Sequence, residues 1–220
     1  MVSNLEQAHK MGYETFLYSP VLSLVVGTFM FLGLISFGSF FLSLFFKKDV
    51  SNNNLFLLHS PLIASNVLLF FFFPLASLGL LNSVILKITS YLLLILSIHF
   101  IINIFRISFA GIFKYKILIL ILILYFLLCL APFTHADTLG YSLKSAVNLI
   151  DTGSFSKTLL PMHVKAEGAG EILIALSLIS GTEQFANLIQ YGGFLSIIAS
   201  FFYLKKKYNY FLLLSVISTP

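Results

Sequence analysis

At 220 residues, 59% hydrophobic and 10% charged, with a mean hydropathy of +1.00, the chain is too apolar for a water-soluble domain. Its net charge of +5 does not mark a nucleic-acid binder, because the basic residues flank apolar runs instead of forming a solvated face with interleaved aromatics. A single cysteine, Cys129, excludes an intrachain disulfide and, within an apolar run, reads as a small apolar filler.

The first 19 residues carry Glu6 and Glu14 and precede an apolar run too long for a signal h-region, so no cleavable signal peptide is expected. Uncharged runs then predict helices at residues 20–46, 61–82, 88–105 and 117–133. In lipid the backbone must satisfy its hydrogen bonds internally, and none of these runs alternates apolar with polar as barrel strands do. A long loop, residues 132–183, separates them from further helices at 184–204 and from 208 onward. The last run stops after 13 residues, too short to cross a bilayer, and reads as a helix cut short in a fragment of a longer protein. The expected fold is all-α, a polytopic membrane helix bundle of about six helices, the last incomplete. It divides into a four-span amino-terminal bundle (1–131), an external loop bearing surface helices (132–183) and carboxy-terminal spans (184–220).

Orientation follows from the charges, since Lys- and Arg-rich loops stay on the cytoplasmic side. Alternating the loops places Lys47, Lys48, Arg106, Lys114, Lys116 and Lys205 to Lys207 on one side with a single acid, Asp49. Lys10, Lys87, Lys144, Lys157 and Lys165 fall on the other with the remaining seven acids. The first side is therefore read as cytoplasmic, with the amino terminus and the long loop outside. Tyr18, Tyr115, Tyr203, Tyr208 and Tyr210 lie near span ends, where an amphipathic ring suits the headgroup zone.

Long loops in compact bundles usually carry function, and this one holds five of the eight acids. Residues 137–153 predict an amphipathic helix lying flat on the outer membrane surface, with Leu139, Leu143, Ala146, Val147 and Ile150 opposite Thr138, Ser142, Ser145, Asn148 and Asp151. Asp137 or Thr138 would cap its start and Gly153 would lie just past its end. A second helix, residues 171–179, is bracketed by Gly168 and Gly170 before and Gly181 after, and should pack on the bundle at the same surface.

Asp137 stands out because it follows a greasy span and Ala131-Pro132, at a boundary reachable by lipid-linked and water-soluble ligands alike. As an N-cap it would accept a backbone N–H, and one carboxylate oxygen can do this while the other faces a cavity. His163, Glu167 and Glu171 recur every four residues, which on a helix would stack an imidazole and two carboxylates, as a metal site or proton relay requires. Gly168 and Gly170 break that helix, so a solvated loop is the competing reading. Lys144 and Lys165 could meet a phosphate at this surface. His99, within a span, is expected to face the bundle interior; His59 and Arg106, near span ends, receive no function.

The order of motifs carries a resemblance. A span ends in Ala131-Pro132; His135-Ala136-Asp137 follows, with Tyr141 one turn on and Asp151-Thr152-Gly153-Ser154-Phe155 closing the surface helix. His163 then precedes Ile172-Leu173-Ile174-Ala175-Leu176 and Gly181-Thr182-Glu183-Gln184-Phe185-Ala186. This resembles the first external loop of GT-C-type membrane glycosyltransferases, the group containing protein O-mannosyltransferases and bacterial lipid A aminoarabinose transferases. The likeness covers residues 130–204. It departs from the family at Thr138, where the family has the Glu of an Asp-Glu pair, and at Val164-Lys165, where it has prolines. Three spans also precede the one that would be the family's first.

The resemblance implies transfer of a sugar from a polyprenyl-phosphate donor to a lipid, glycan or protein acceptor, at the outer face of a bacterial cytoplasmic (inner) membrane in the cell envelope. Asp137 would be the general base. His135, Tyr141, His163, Lys165, Glu167 and Glu171 would line the substrate site, with Lys165 toward the leaving phosphate. Some relatives use a divalent metal, but the residues here supply no complete site, and no nucleic acid is implied. The fragment is expected to be inactive alone. A non-enzymatic multi-pass protein, either a lipid-linked glycan transporter or polymerase component or a structural subunit, is the alternative.

Overall fold

The computed structural model describes residues 17–45, 57–104, 116–132, 142–155 and 168–203, and every regular element among them is helical. In chain order these are α1 (Pro20–Phe45), α2 (Ser60–Ser77), α3 (Ser83–Ile104), α4 (Lys116–Cys129), α5 (Leu143–Thr152), α6 (Ala169–Ile179) and α7 (Gln184–Tyr203). The expected helix from residue 208 lies outside the described residues.

α1, α2 and α3 are long and apolar enough to cross a membrane. α7 matches them in length, at 20 residues, but carries Gln184, Asn187 and Gln190. α4 has 14 residues and rises about 21 Å, short of the roughly 30 Å hydrocarbon core. α3 begins earlier than the charge pattern predicts. Lys87 reads as a span boundary in sequence, yet the helix starts at Ser83, because the Asn82 side chain accepts the Ile85 N–H at 2.9 Å and caps the first turn. Lys87 then sits exposed on the second turn, where its aliphatic stem can carry the ammonium outward.

α1 is the central element, packed against α2, α3 and α7. Its glycines explain how it approaches each. A methyl group at Gly33 would collide with the Leu93 carbonyl of α3, and one at Gly38 with the Ser60 carbonyl of α2. At Gly27 it would press on Thr182 and Gln184, at the start of α7. Lipid gives helices no hydrophobic reason to associate, so small residues that admit a neighbouring backbone supply the packing. Met30, Leu34, Leu68, Phe72, Leu86, Leu93, Leu176 and Leu188 close the core around this seam.

Two local expectations change. The apolar side of α5, expected to rest on the bilayer, packs on protein: Leu143, Ala146, Leu149 and Ile150 are buried against α6 and α3. Ser145, expected on its polar face, is buried with them. The apolar stripe is real, but a neighbouring helix covers it. His99 lies on the exposed face of α3, because the helical phase that turns Leu93, Ser97 and Phe100 inward points it outward.

Candidate functional site

Glycine sets the geometry of one end of the bundle. Gly79, Gly153 and Gly181 end α2, α5 and α6 at φ of 72°, 73° and 79°. Left-handed backbone suits glycine because it has no Cβ to clash. At Gly181 the Gly181 and Thr182 N–H groups return to the Leu178 and Ser177 carbonyls at 2.9 and 3.2 Å, which ends α6 and turns the chain into α7. Gly153, placed just past the surface helix by the sequence, accepts the Leu81 N–H at 3.2 Å and ties α5 to the α2–α3 turn. The Gly181 carbonyl accepts the Tyr18 N–H at 3.0 Å, ahead of α1. Asn187 of α7 donates to the Ala131 carbonyl, just past α4, at 3.0 Å. The start of α1, the α2–α3 turn, the end of α4, the α5–α6 pair and the start of α7 therefore share one end.

Beneath this end lies a buried polar chain. Ser23 of α1 donates to Gln184 Oε1 at 2.6 Å, and Thr182 donates to the same oxygen at 3.0 Å. Thr182 Oγ1 in turn accepts the Gln184 N–H at 3.2 Å. Ser177 donates to the Thr182 carbonyl at 2.7 Å and accepts the Ala186 N–H at 3.3 Å. Two of the opening N–H groups of α7, those of Gln184 and Ala186, which have no partner within the helix, are thus met by side chains. Glu183 is buried in the same stretch. On the surface beside it, Thr152 donates to the Asn148 carbonyl at 2.8 Å and Asn148 Nδ2 reaches the Ser154 carbonyl at 3.2 Å, closing the 151–155 turn.

Of the sequence-predicted site residues, Glu171 is described. Its carboxylate accepts the Gly168 N–H at 2.7 Å, buried in the first turn of α6. This is half of a capping box; Gly168 has no side chain to return the bond. The negative charge also suits the positive end of the helix dipole. His135, Asp137, Tyr141, His163, Lys165 and Glu167 lie outside the described residues. Among the described residues, no three of His, Cys, Asp and Glu gather where they could hold a metal ion. At the opposite end, burial holds the His59 imidazole below its ordinary pKa.

Sequence reading missed Ser23, Ser177, Thr182 and Gln184. Their signal was available as hydroxyls and an amide inside otherwise apolar helices, where a polar group needs a partner on another helix. In the sequence the Thr182-Glu183-Gln184 run after Gly181 carries only a motif resemblance.

The fold and this end define a helical bundle of membrane-spanning type with a polar, loop-bearing pole. Residues 98–211 match the family model described as the DUF1420 N-terminal domain, and the chain belongs to that family. No curated protein and no solved structure matches the chain.

Proposed function

We propose that the protein is the amino-terminal part of a GT-C-type membrane glycosyltransferase that moves a sugar from a polyprenyl-phosphate donor to an acceptor hydroxyl outside the membrane. One observation supports this most. The chain enters residues 133–141 from α4 and leaves residues 156–167 into α6 at the same pole, where Gly153 and Gly181 pin the flanking helices to the bundle. A loop carrying Asp137, His163 and Lys165 between such anchors is suited to chemistry at the membrane border. Asp151 and Glu183 flank that pole, which supports reading it as the outer one.

In this reading Asp137 takes the proton of the acceptor hydroxyl as its oxygen attacks the anomeric carbon. The carbon–oxygen bond to the polyprenyl phosphate breaks, and configuration inverts. A carboxylate partly withdrawn from water holds a proton more readily, which makes it a better base. Lys165 offsets charge on the departing phosphate, and His135, Tyr141, His163 and Glu167 hold donor and acceptor. Glu171 orders the start of α6.

The test is Asp137→Asn in the full-length protein. Transfer should fall about 10²-fold or more, the usual share of a general base, with insertion unchanged. Undiminished transfer would return Asp137 to a capping role. A reporter fused after Gly153 should appear outside the cell membrane, and cytoplasmic accessibility would invert the topology.

A further inference from the structure

Tyr18 is held at the loop-bearing pole by backbone. Its N–H donates to the Gly181 carbonyl, and its ring lies so close to Gly181 that a methyl group there would collide with the ring carbons. Tyr18 is nevertheless 51% exposed, so the ring is seated on one side and open on the other. A ring serving only the headgroup zone has no use for such a seat.

Gln184, three residues beyond Gly181, shows the same division within one side chain. Its Oε1 accepts both Ser23 and Thr182, while its Nε2 donates to no group among the described residues. Gln184 is 6% exposed, and among the described residues the fully enclosed side-chain atom without a partner is Ser60 Oγ, so Nε2 is not sealed inside. An amide donor fixed in place and left unused is costly unless water or a ligand meets it. The charge in this stretch is negative, because Glu183 is buried beside Gln184 in the chain, and it would repel an anion. A neutral group that accepts and donates is favoured instead. A sugar ring has that chemistry: its hydroxyls accept from an amide, and its C–H face packs on an aromatic ring.

We propose that Tyr18 and Gln184 form a subsite for a pyranose ring, with Tyr18 against its C–H face and Gln184 Nε2 donating to a hydroxyl. The subsite rests on the glycosyl-transfer reading for the source of that ring, which is either the lipid-linked donor or a glycan acceptor. Binding to the full-length protein in lipid nanodiscs tests it without requiring transfer. The probes are polyprenyl-phosphate-linked mannose and glucose, the same polyprenyl phosphate without sugar, and the free methyl glycosides. Tyr18→Leu and Gln184→Glu should each weaken a sugar-bearing probe about tenfold, the worth of one contact, and leave the sugar-free lipid unchanged. Tyr18→Phe keeps the ring and should bind as the unaltered protein does. Gln184→Glu keeps an oxygen for Ser23 and Thr182, which guards the fold. Weakening confined to the lipid-linked sugars assigns the donor's ring, and weakening of the free glycosides assigns the acceptor's. Equal weakening of the sugar-free lipid, or undiminished binding in both Tyr18→Leu and Gln184→Glu, would overturn the subsite. So would an unaltered protein that prefers no sugared lipid to the bare one. Asp137→Asn should leave every affinity unaltered, so failure of the base and failure of the subsite are read separately.

Discussion

α3 and α7 are nearly the same length and both pack on α1, yet they are held to it by different chemistry. α3 meets α1 through backbone contact at Gly33 and turns Ile88, Ile95, Ile98 and Ile102 away from the bundle. α7 meets it through the Ser23–Gln184–Thr182 hydrogen bonds and keeps amides and small residues along its length. An apolar helix in lipid gains little from where its greasy residues point, so shape fixes its seat. A helix with polar groups is fixed by the partners those groups need.

This difference can be tested from its strongest element downward. Gly33→Val should be the most damaging change, because the added carbons run into backbone that cannot swing aside. A loss of about 1–3 kcal/mol or more is expected, read as a lower melting temperature in detergent. Unchanged stability would mean that α3 is not seated by that contact. Gln184→Ala should cost about 1–3 kcal/mol by stranding the buried Ser23 and Thr182 hydroxyls, and a Ser23→Ala, Gln184→Ala double-mutant cycle should show positive coupling. Additive losses would remove the network as the clamp on α7.

The remaining effects are smaller. Ser196 of α7 donates to the Leu58 carbonyl at 3.2 Å, next to His59. Because the folded-state pKa of His59 is lowered, the unfolded chain binds its proton more readily, and folding loses stability as pH drops below about 6.5. His59→Gln should flatten that slope, and an unaltered slope would exclude the imidazole as its source. On the lipid side, Ile95→Val should change stability by no more than about 0.5 kcal/mol. A clearly larger loss would show that protein, not lipid, covers that face of α3.

Much of the fold is readable in the residues because apolar length and glycine punctuation both have direct physical meaning. The runs bounded by Pro20 and Lys47, or by Gly181 and Lys205, enclose helices close to those found, and Gly153 and Gly181 end helices as their lack of a side chain suggests. Lys87 misleads because a charged residue reads as the end of a span, whereas Asn82 starts the helix and lysine can reach out from within it. α5 misleads in another way. Hydrophobic periodicity states that a face must be covered, but lipid and α6 satisfy it equally well. The polar clamp is harder still to read, since Ser23 and Gln184 stand 161 residues apart and only the Thr182–Gln184 part of it is local. Of the candidate catalytic loop, the anchors at Gly153 and Gly181 and the role of Glu171 in capping α6 are described structurally, while the roles given to Asp137 and its neighbours rest on motif order.

The bond between Ser23 and Gln184 also constrains the order of assembly. α1 leaves the ribosome well before α7, yet its hydroxyl at Ser23 and the hollow at Gly27 meet residues made more than 150 positions later. During synthesis this helix must wait in the membrane with its polar surface unfilled. Its final seat forms only when α7 arrives, so a helix made early settles late.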